Sequence, residues 1–151
     1  MIVGGGYNLY AVNGSGSTIW SVSYSSRLWA DIAEADIDNN GVKEIITTNG
    51  AIVGVHNKDG SSFPNFPQTL TSELRSLTVS DLDQSGKYEI IVGLALSQAQ
   101  NVWVLNYDGS IRTGWPQATS TADGYSAGVY NTNTGTSDLD GDGLLEVIVP
   151  S

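Results

Sequence analysis

The sequence contains no cysteine among its 151 residues. Disulfides, thiolate metal sites and cysteine nucleophiles are therefore excluded together. Basic residues are also scarce, with six Lys plus Arg against sixteen Asp plus Glu, so the formal charge is −10. Because nucleic acids are held by Lys and Arg at their phosphates, this balance argues against a nucleic-acid partner.

Long apolar runs are missing as well. A membrane-spanning helix needs about 20 predominantly apolar residues, and no such stretch occurs, so we expect no membrane insertion. Residues 1–6 carry neither a basic segment nor a long apolar one, so no secretory signal is expected within this sequence. Apolar residues nevertheless make up 40% of the chain, which is too many for an acidic disordered tail.

What the sequence does contain is an acidic nine-residue segment that occurs three times. The copies begin at Asp36, Asp81 and Asp138. Each copy ends in a Glu and runs directly into an apolar stretch rich in Ile and Val. Recurrence of one pattern at intervals of about 45–57 residues is the signature of an internal repeat.

Two further markers recur in step with the acidic segment. A turn that contains Asn and ends in Gly occupies residues 13–16, 57–60 and 106–109, and an aromatic-Pro-Gln triplet occupies residues 66–68 and 115–117. The third repeat is the longest, with extra residues around 97–100 and within 119–135. Such insertions usually map to loops on one face of a repeat array, and that face is often the binding face.

The repeat unit is predicted to be β-structure throughout. In the third repeat we expect strands at 76–80, 89–93 and 102–105, and a fourth strand that ends near Pro116. No window shows a sustained helical period. Four short strands in about 45–50 residues match the size of one β-propeller blade, so the sequence predicts an all-β fold of blades with four antiparallel strands.

The chain divides into about three repeats. We predict a partial blade at 1–28, complete blades at 29–72 and 73–125, and a partial blade at 126–151. Propellers typically close with four to eight blades. The sequence therefore indicates either a segment of a larger propeller or a ring that is completed by assembly of several copies.

The acidic segment has the spacing of a cation-binding loop. Oxygen ligands at positions 1, 3, 5 and 9 point to one centre, Gly at position 6 permits the sharp turn, and the carbonyl at position 7 completes the shell. A flexible all-oxygen shell suits Ca²⁺ better than Mg²⁺ or Zn²⁺, so we expect about three Ca²⁺, one per loop. The predicted ligands, with Val42, Lys87 and Leu144 contributing carbonyls, are Asp36, Asp38, Asn40, Val42 and Glu44; Asp81, Asp83, Ser85, Lys87 and Glu89; and Asp138, Asp140, Asp142, Leu144 and Glu146.

Acidic loops of this kind have two other interpretations. An EF-hand needs a ligand at position 12 and a helix leading out, but position 12 is Thr47, Val92 or Val149 within an apolar run. The second alternative is a set of metal-free, solvated turns. Among the three loops we expect the third, with four carboxylates, to bind most tightly, and the second to be weakened by Ser85.

At these residues the sequence resembles the FG-GAP/VCBS repeat family, which includes the propeller of integrin α-subunits. The family pattern is Asp-x-Asp-x-Asp-Gly-x-x-Asp/Glu followed by a strand, and the resemblance covers essentially the whole chain. It implies a calcium-binding β-propeller, commonly of around seven blades, in an extracellular or cell-surface protein. The chain departs from the pattern at Asn40 and Ser85, and residues 48–50 lack the Phe-Gly pair of the family.

Catalysis is not expected in this chain. Residues 124–128 match G-x-S-x-G, but the residues that follow are not helical and the single His, His56, precedes the motif instead of following it. Ten of the sixteen acids belong to the loops, and the others form no recurring pair of the kind that a glycosidase uses. We expect His56, at a strand end beside a turn, to face solvent.

The resemblance implies a module for adhesion or for binding an unidentified glycan or protein. Trp115 and Tyr125 are the candidate ligand-binding residues, because they lie beside or within the insertions of the third repeat, although packing between blades is the alternative for such aromatics. A structural subunit of an extracellular filament or surface assembly, joined by self-association of open blade edges, is one alternative function. An accessory domain of a secreted polysaccharide-degrading enzyme is another.

Overall fold

The computed structural model describes residues 1–95, 100–119, 128–129 and 132–150. Over these residues the chain forms strands and turns but no helix, as the sequence predicts for an all-β fold. The strands associate into four separate sheets, and every pairing is antiparallel. None of the described residues belongs to a helix that is long and apolar enough to cross a membrane.

Strands that are consecutive in the chain are neighbours in each sheet. The first sheet has the order β1-β2-β3, the second β4-β5-β6-β7, the third β8-β9-β10 and the fourth β11-β12. Isolated bridges from Leu105 to Ile111 and from Val102 to Gln117 continue the third sheet. The strands are β1 (Ile2–Gly5), β2 (Asn8–Val12), β3 (Thr18–Ser23), β4 (Ala33–Ala35), β5 (Glu44–Asn49), β6 (Ile52–His56), β7 (Gln68–Thr69), β8 (Leu74–Ser80), β9 (Glu89–Leu94), β10 (Val102–Leu105), β11 (Gly135–Ser137) and β12 (Glu146–Ile148).

One tight turn recurs after β2, β6 and β10. Its closing Gly has a positive φ in each copy, 83° at Gly16, 87° at Gly60 and 84° at Gly109. The Gly N–H donates to the carbonyl of the Asn three residues earlier at 2.9–3.1 Å. Glycine is required because other residues rarely adopt this left-handed conformation, so the turn marker in the sequence has a conformational cause.

The third sheet is apolar on both of its faces. All residues of β9 are buried. Successive strand residues point to opposite faces, so Ile90 packs in one core cluster with Ile46 of the second sheet, while Ile91 packs in another against Val147 of the fourth. The third sheet therefore lies between the second and fourth sheets, which explains why its central strand shows no polar alternation.

The first strands of neighbouring sheets lie side by side. The hydroxyl of Thr78 in β8 donates to the carbonyl of Thr134 at 2.8 Å, and the hydroxyls of Ser80 and Thr136 are 3.0 Å apart. Strand β4 in turn contacts β8. The first strands of the second, third and fourth sheets therefore lie next to one another.

The predicted division into blades after residues 28, 72 and 125 stays a prediction. The pairing of strands shows which strands form each sheet. The number of blades depends in addition on how the sheets close into a ring. The insertions predicted for the third repeat fall largely on residues 96–99 and 120–127, which lie outside the described residues.

Candidate metal centres

The three acidic loops each connect the first strand of a sheet to the second. Loop 1 (residues 36–44) joins β4 to β5, loop 2 (81–89) joins β8 to β9, and loop 3 (138–146) joins β11 to β12. In each loop one oxygen from positions 1, 3 and 9 lies within 4.8 Å of the other two. These carboxylate groups are Asp36, Asp38 and Glu44; Asp81, Asp83 and Glu89; and Asp138, Asp140 and Glu146.

The backbone curls inward through two left-handed residues in each loop. The Gly at position 6 has a φ of 88°, 84° or 91°, as the sequence predicts. Position 4 is also left-handed, with φ of 62° at Asn39, 55° at Gln84 and 81° at Gly141. The left-handed conformation at position 4 is not evident from the sequence, because only loop 3 has glycine at that position.

The Asp at position 1 fixes the turn. Its carboxylate accepts the N–H of the position-6 Gly in all three loops, at 2.7 Å from Asp36, 2.8 Å from Asp81 and 3.0 Å from Asp138. A charged acceptor makes such a bond stronger than a neutral one. The same residue that is predicted to hold the cation therefore also shapes its loop.

The Glu at position 9 connects the loop to the second strand. Its Oε2 accepts the N–H of position 2, at 3.1 Å for Glu44, 2.9 Å for Glu89 and 2.7 Å for Glu146. One carboxylate oxygen is thus committed to the backbone in each loop, and in loop 2 the other, Glu89 Oε1, lies 3.0 Å from Nη1 of Arg112.

Two of these glutamates are buried. Glu44 is 1% exposed and Glu89 4% exposed. Burial raises the pKa of Glu44 above its ordinary value of 4.5, against the hydrogen bond from Ile37, and Asp38 adds to the rise. Burial likewise raises the pKa of Glu89. Each carboxylate is therefore a costly buried charge when it is ionised without a cation.

Position 5 accepts a hydrogen bond from the backbone at position 7. The acceptors are the side-chain oxygens of Asn40, Ser85 and Asp142, at 2.8, 3.3 and 2.7 Å. Asp142 therefore contacts the backbone of its own loop and does not belong to the group that meets within 4.8 Å. The ligand roles of position 5 and of the carbonyls at Val42, Lys87 and Leu144 stay predictions.

Loop 1 fits a hard cation. Its Asp38 Oδ1 is buried and has no hydrogen-bond partner, whereas Oδ2 accepts from the amide of Asn40 at 3.0 Å. An orphaned buried oxygen is rare in proteins and calls for a partner such as an ion. The donor set consists only of oxygens, the ligands that Ca²⁺ prefers.

Loop 2 differs because a basic side chain enters it. The guanidinium Nη1 of Arg112 lies 3.1 Å from Asp83 Oδ2 and 3.0 Å from Glu89 Oε1. Sequence reasoning missed this residue. A comparison of the repeats contains the signal, because Arg112 follows the turn Gly109 by three residues, where the second repeat has Phe63 after Gly60.

The loops are linked in series at one end of the sheets. The N–H of Tyr88 in loop 2 donates to the carbonyl of Ile37 in loop 1 at 3.0 Å, and Leu145 in loop 3 donates to Leu82 in loop 2 at 2.9 Å. In both cases position 8 of one loop contacts position 2 of the preceding loop. Successive loops are thus placed by one repeated contact.

The other candidate residues lie away from these loops or outside the described residues. Trp115 is partly buried and packs against the core cluster of Leu82 and Val104, while Tyr125 and most of the 124–128 motif fall outside the described residues. A ligand-binding role for both aromatics stays a prediction.

The expectation that His56 faces solvent is wrong. The side chain is only 6% exposed, and its Nε2 lies 2.8 Å from the hydroxyl of Tyr24 in the chain segment after β3. Burial lowers the pKa of His56 and keeps the ring neutral. The error arose because the covering residue comes from another sheet, which local sequence does not show.

No protein-family model and no curated protein matches this chain. The class of site therefore rests on the geometry. The three loops share left-handed residues at positions 4 and 6, a convergent set of carboxylates, and the hydrogen bonds that positions 1 and 9 accept from the N–H groups of positions 6 and 2. That arrangement defines a repeated acidic loop that could hold metal ions.

Replacing Glu44 by Gln is expected to stabilise the metal-free protein at pH 7. The amide oxygen retains the acceptor for Ile37 N–H, while a buried carboxylate is removed. Because burial raises the pKa of Glu44 in the folded protein, ionisation of this carboxyl destabilises the folded state. The free energy of unfolding therefore falls as the pH rises through that pKa. Thermal melts in EGTA should show a higher melting temperature for the variant, by roughly 2–4 °C per kcal/mol recovered.

Two controls make this result specific. The advantage of Glu44→Gln should shrink as pH falls, because burial raises the pKa of Glu44 and the wild-type carboxyl therefore takes up a proton more readily than an ordinary one. With Ca²⁺ present the sign should reverse, because the variant lacks a predicted ligand. A variant that is less stable than wild type in EGTA at pH 7 would contradict the account of Glu44.

Proposed function

We propose that this chain is a calcium-binding, non-catalytic β-propeller module of the FG-GAP/VCBS type. The observation that carries the proposal is the threefold convergence of carboxylates from positions 1, 3 and 9 within 4.8 Å. Solvated turns would gain nothing from holding like charges so close together, since such charges repel one another. The unpartnered, buried Asp38 Oδ1 supports a cation in the same way.

The arrangement of the sheets supports the propeller. Every sheet pairs consecutive strands antiparallel, the first strands of the second, third and fourth sheets lie together, and one contact between loops recurs across the same three sheets. Radial repetition of small sheets is the principle of the propeller fold. We propose that the sheets are blades, either of a larger ring of around seven or of one completed by several copies.

The role of the ion in this proposal is structural. When bound, Ca²⁺ supplies positive charge that offsets the repulsion among the loop carboxylates. The residues of the chain do the rest: the Asp at position 1 shapes the turn, and the Glu at position 9 connects it to the second strand. Binding thereby stabilises the connection between two strands of one blade.

Equilibrium dialysis with elemental analysis tests the proposal. We expect the chain to retain Ca²⁺ in preference to Mg²⁺, because oxygen ligands on flexible loops suit the larger ion. The double variant Asp36→Asn with Asp138→Asn should lose most of the bound Ca²⁺, while Asp59→Asn, an acid of a hairpin turn, should lose none. Absence of bound Ca²⁺ in the wild type would refute the proposal.

The biological role that we propose is adhesion, through binding of a glycan or protein outside the cell or at its surface. Calcium sites of extracellular modules can be weak, with Kd of about 10⁻⁴–10⁻³ M, because the ion is abundant there. The alternatives are a structural subunit that self-associates through open blade edges and an accessory domain of a secreted polysaccharide-degrading enzyme. A stable monomer in light scattering would argue against the self-associating subunit, and a glycan array tests the binding module.

A further inference from the structure

Loop 2 already contains a cation that belongs to the chain. Arg112 Nη1 donates to Asp83 Oδ2 at 3.1 Å and lies 3.0 Å from Glu89 Oε1. These are the carboxylates at positions 3 and 9, two of the three that converge in this loop. The guanidinium therefore engages the groups that an ion in loop 2 would need.

In the part of the chain that the structure describes, loops 1 and 3 have no ion pair of this kind, although the positive charge of Lys87 acts on Asp38 at longer range. Within residues 1–95, 100–119 and 132–150, no ion pair reaches a carboxylate of loop 1 or loop 3. The nearby Lys43 pairs with Glu34, which precedes loop 1, at 4.0 Å. The position-3 carboxylates differ accordingly: Asp38 Oδ1 of loop 1 is orphaned, whereas both oxygens of Asp83 have partners, Ser85 N–H at 3.2 Å and Arg112.

The difference arises from one position of the repeat. The N–H of Arg112 donates to Val104 at 2.9 Å, and the N–H of Phe63 donates to Val55 at 2.9 Å. These are corresponding residues, since each follows its turn Gly by three positions. In the second repeat the aromatic ring is buried in the core, and in the third a guanidinium stands at the same place.

We infer that Arg112 replaces the metal ion in loop 2, so that only loops 1 and 3 bind Ca²⁺. This inference rests on the proposed calcium function of the other loops. A Ca²⁺ ion entering loop 2 has either to displace the guanidinium from the buried carboxylate of Glu89 or to sit beside a fixed positive charge. Either event weakens binding, and Ser85 at position 5 supplies no charge in compensation.

Calorimetric titration with Ca²⁺ measures the number of sites. We expect about two ions per chain for the wild type and about three for Arg112→Phe, which copies the residue of the second repeat, and for Arg112→Gln, which keeps polarity without charge. Asp83→Asn should leave the wild-type number unchanged but remove the third site from either Arg112 variant. Arg27→Gln is the charge-matched control and should leave about two sites, because Arg27 contacts Tyr7 and Trp29 and no acidic loop.

Each outcome separates this inference from the proposed function. Three sites in the wild type, one of them removed by Asp83→Asn, would overturn the role of Arg112 and leave the calcium function standing. The role of Arg112 would also be overturned if the wild type binds two ions and Arg112→Gln still binds only two. If the wild type binds no Ca²⁺, the role of Arg112 and the proposed calcium function are both overturned. If the wild type binds two ions and only the Arg112 variants bind three, both claims are supported.

Discussion

Saturating Ca²⁺ is expected to raise the melting temperature of the chain by about 10–20 °C over its value in EGTA. A ligand that binds only the folded state adds about 2.7 kcal/mol per site at 100 times its Kd, and loops 1 and 3 together then contribute about 5 kcal/mol. In a domain of this size each kcal/mol shifts the melting temperature by about 2–4 °C. Thermal melts followed by circular dichroism at several Ca²⁺ concentrations provide the measurement.

Matched variants locate the stabilisation. Asp36→Asn removes a charge from loop 1 and leaves one amide oxygen where the carboxylate accepts from both Asn40 N–H and Gly41 N–H, so about half of the Ca²⁺-dependent shift should disappear. The same change at Asp83 should have little effect if Arg112 holds loop 2. Equal melting temperatures in Ca²⁺ and in EGTA would show that the loops are not structural metal sites.

Three of the four strands expected in the third repeat were predictable because their signals are local, whereas the fourth, which was expected to end near Pro116, is present only as isolated bridges. The expected strand at 102–105 coincides with β10, and those at 76–80 and 89–93 fall within β8 and β9. Apolar runs between Gly-containing turns carry this information without reference to the rest of the chain. The turn marker succeeded for the same reason, since a positive φ selects glycine.

The candidate metal site could be predicted only where its residues are close together in the sequence. The spacing of Asp36, Asp38 and Glu44 reveals a convergent loop, because all three lie on one short turn. Arg112 enters loop 2 from 23 residues beyond Glu89, and Tyr24 covers His56 from another sheet. Contacts of this kind depend on how the sheets pack, and no local pattern encodes them.

The loops also differ in the solvent exposure of their position-2 side chains, a difference that their sequences do not show. Position 2 carries an aliphatic side chain in each loop, yet Ile37 is 0% exposed in the core and Leu139 is 66% exposed. The buried residue anchors loop 1 on the apolar cluster shared by the second and third sheets. The same chemical change at these two positions therefore compares a buried position-2 side chain with an exposed one.

Replacing Ile37 by Ala is expected to destabilise the protein by about 2–5 kcal/mol, the usual cost of a cavity at a fully buried aliphatic side chain. Leu139→Ala is the matched control and should change stability by no more than about 0.5 kcal/mol. Urea unfolding in saturating Ca²⁺ measures both. Calcium affinity should also fall in Ile37→Ala, because the buried side chain anchors the segment whose backbone N–H at position 37 donates to Oε2 of Glu44.

The comparison also tests whether loop 3 is covered in solution. If Leu139→Ala cost as much as Ile37→Ala, the exposed leucine would have to be buried against something that the single chain does not provide. A second copy of the chain would then make the loss depend on protein concentration, since stability that comes from association follows mass action. A small, concentration-independent effect at Leu139 together with a large one at Ile37 would show that the position-2 side chain stabilises loop 1 but not loop 3, which contacts the rest of the chain through Leu145 instead.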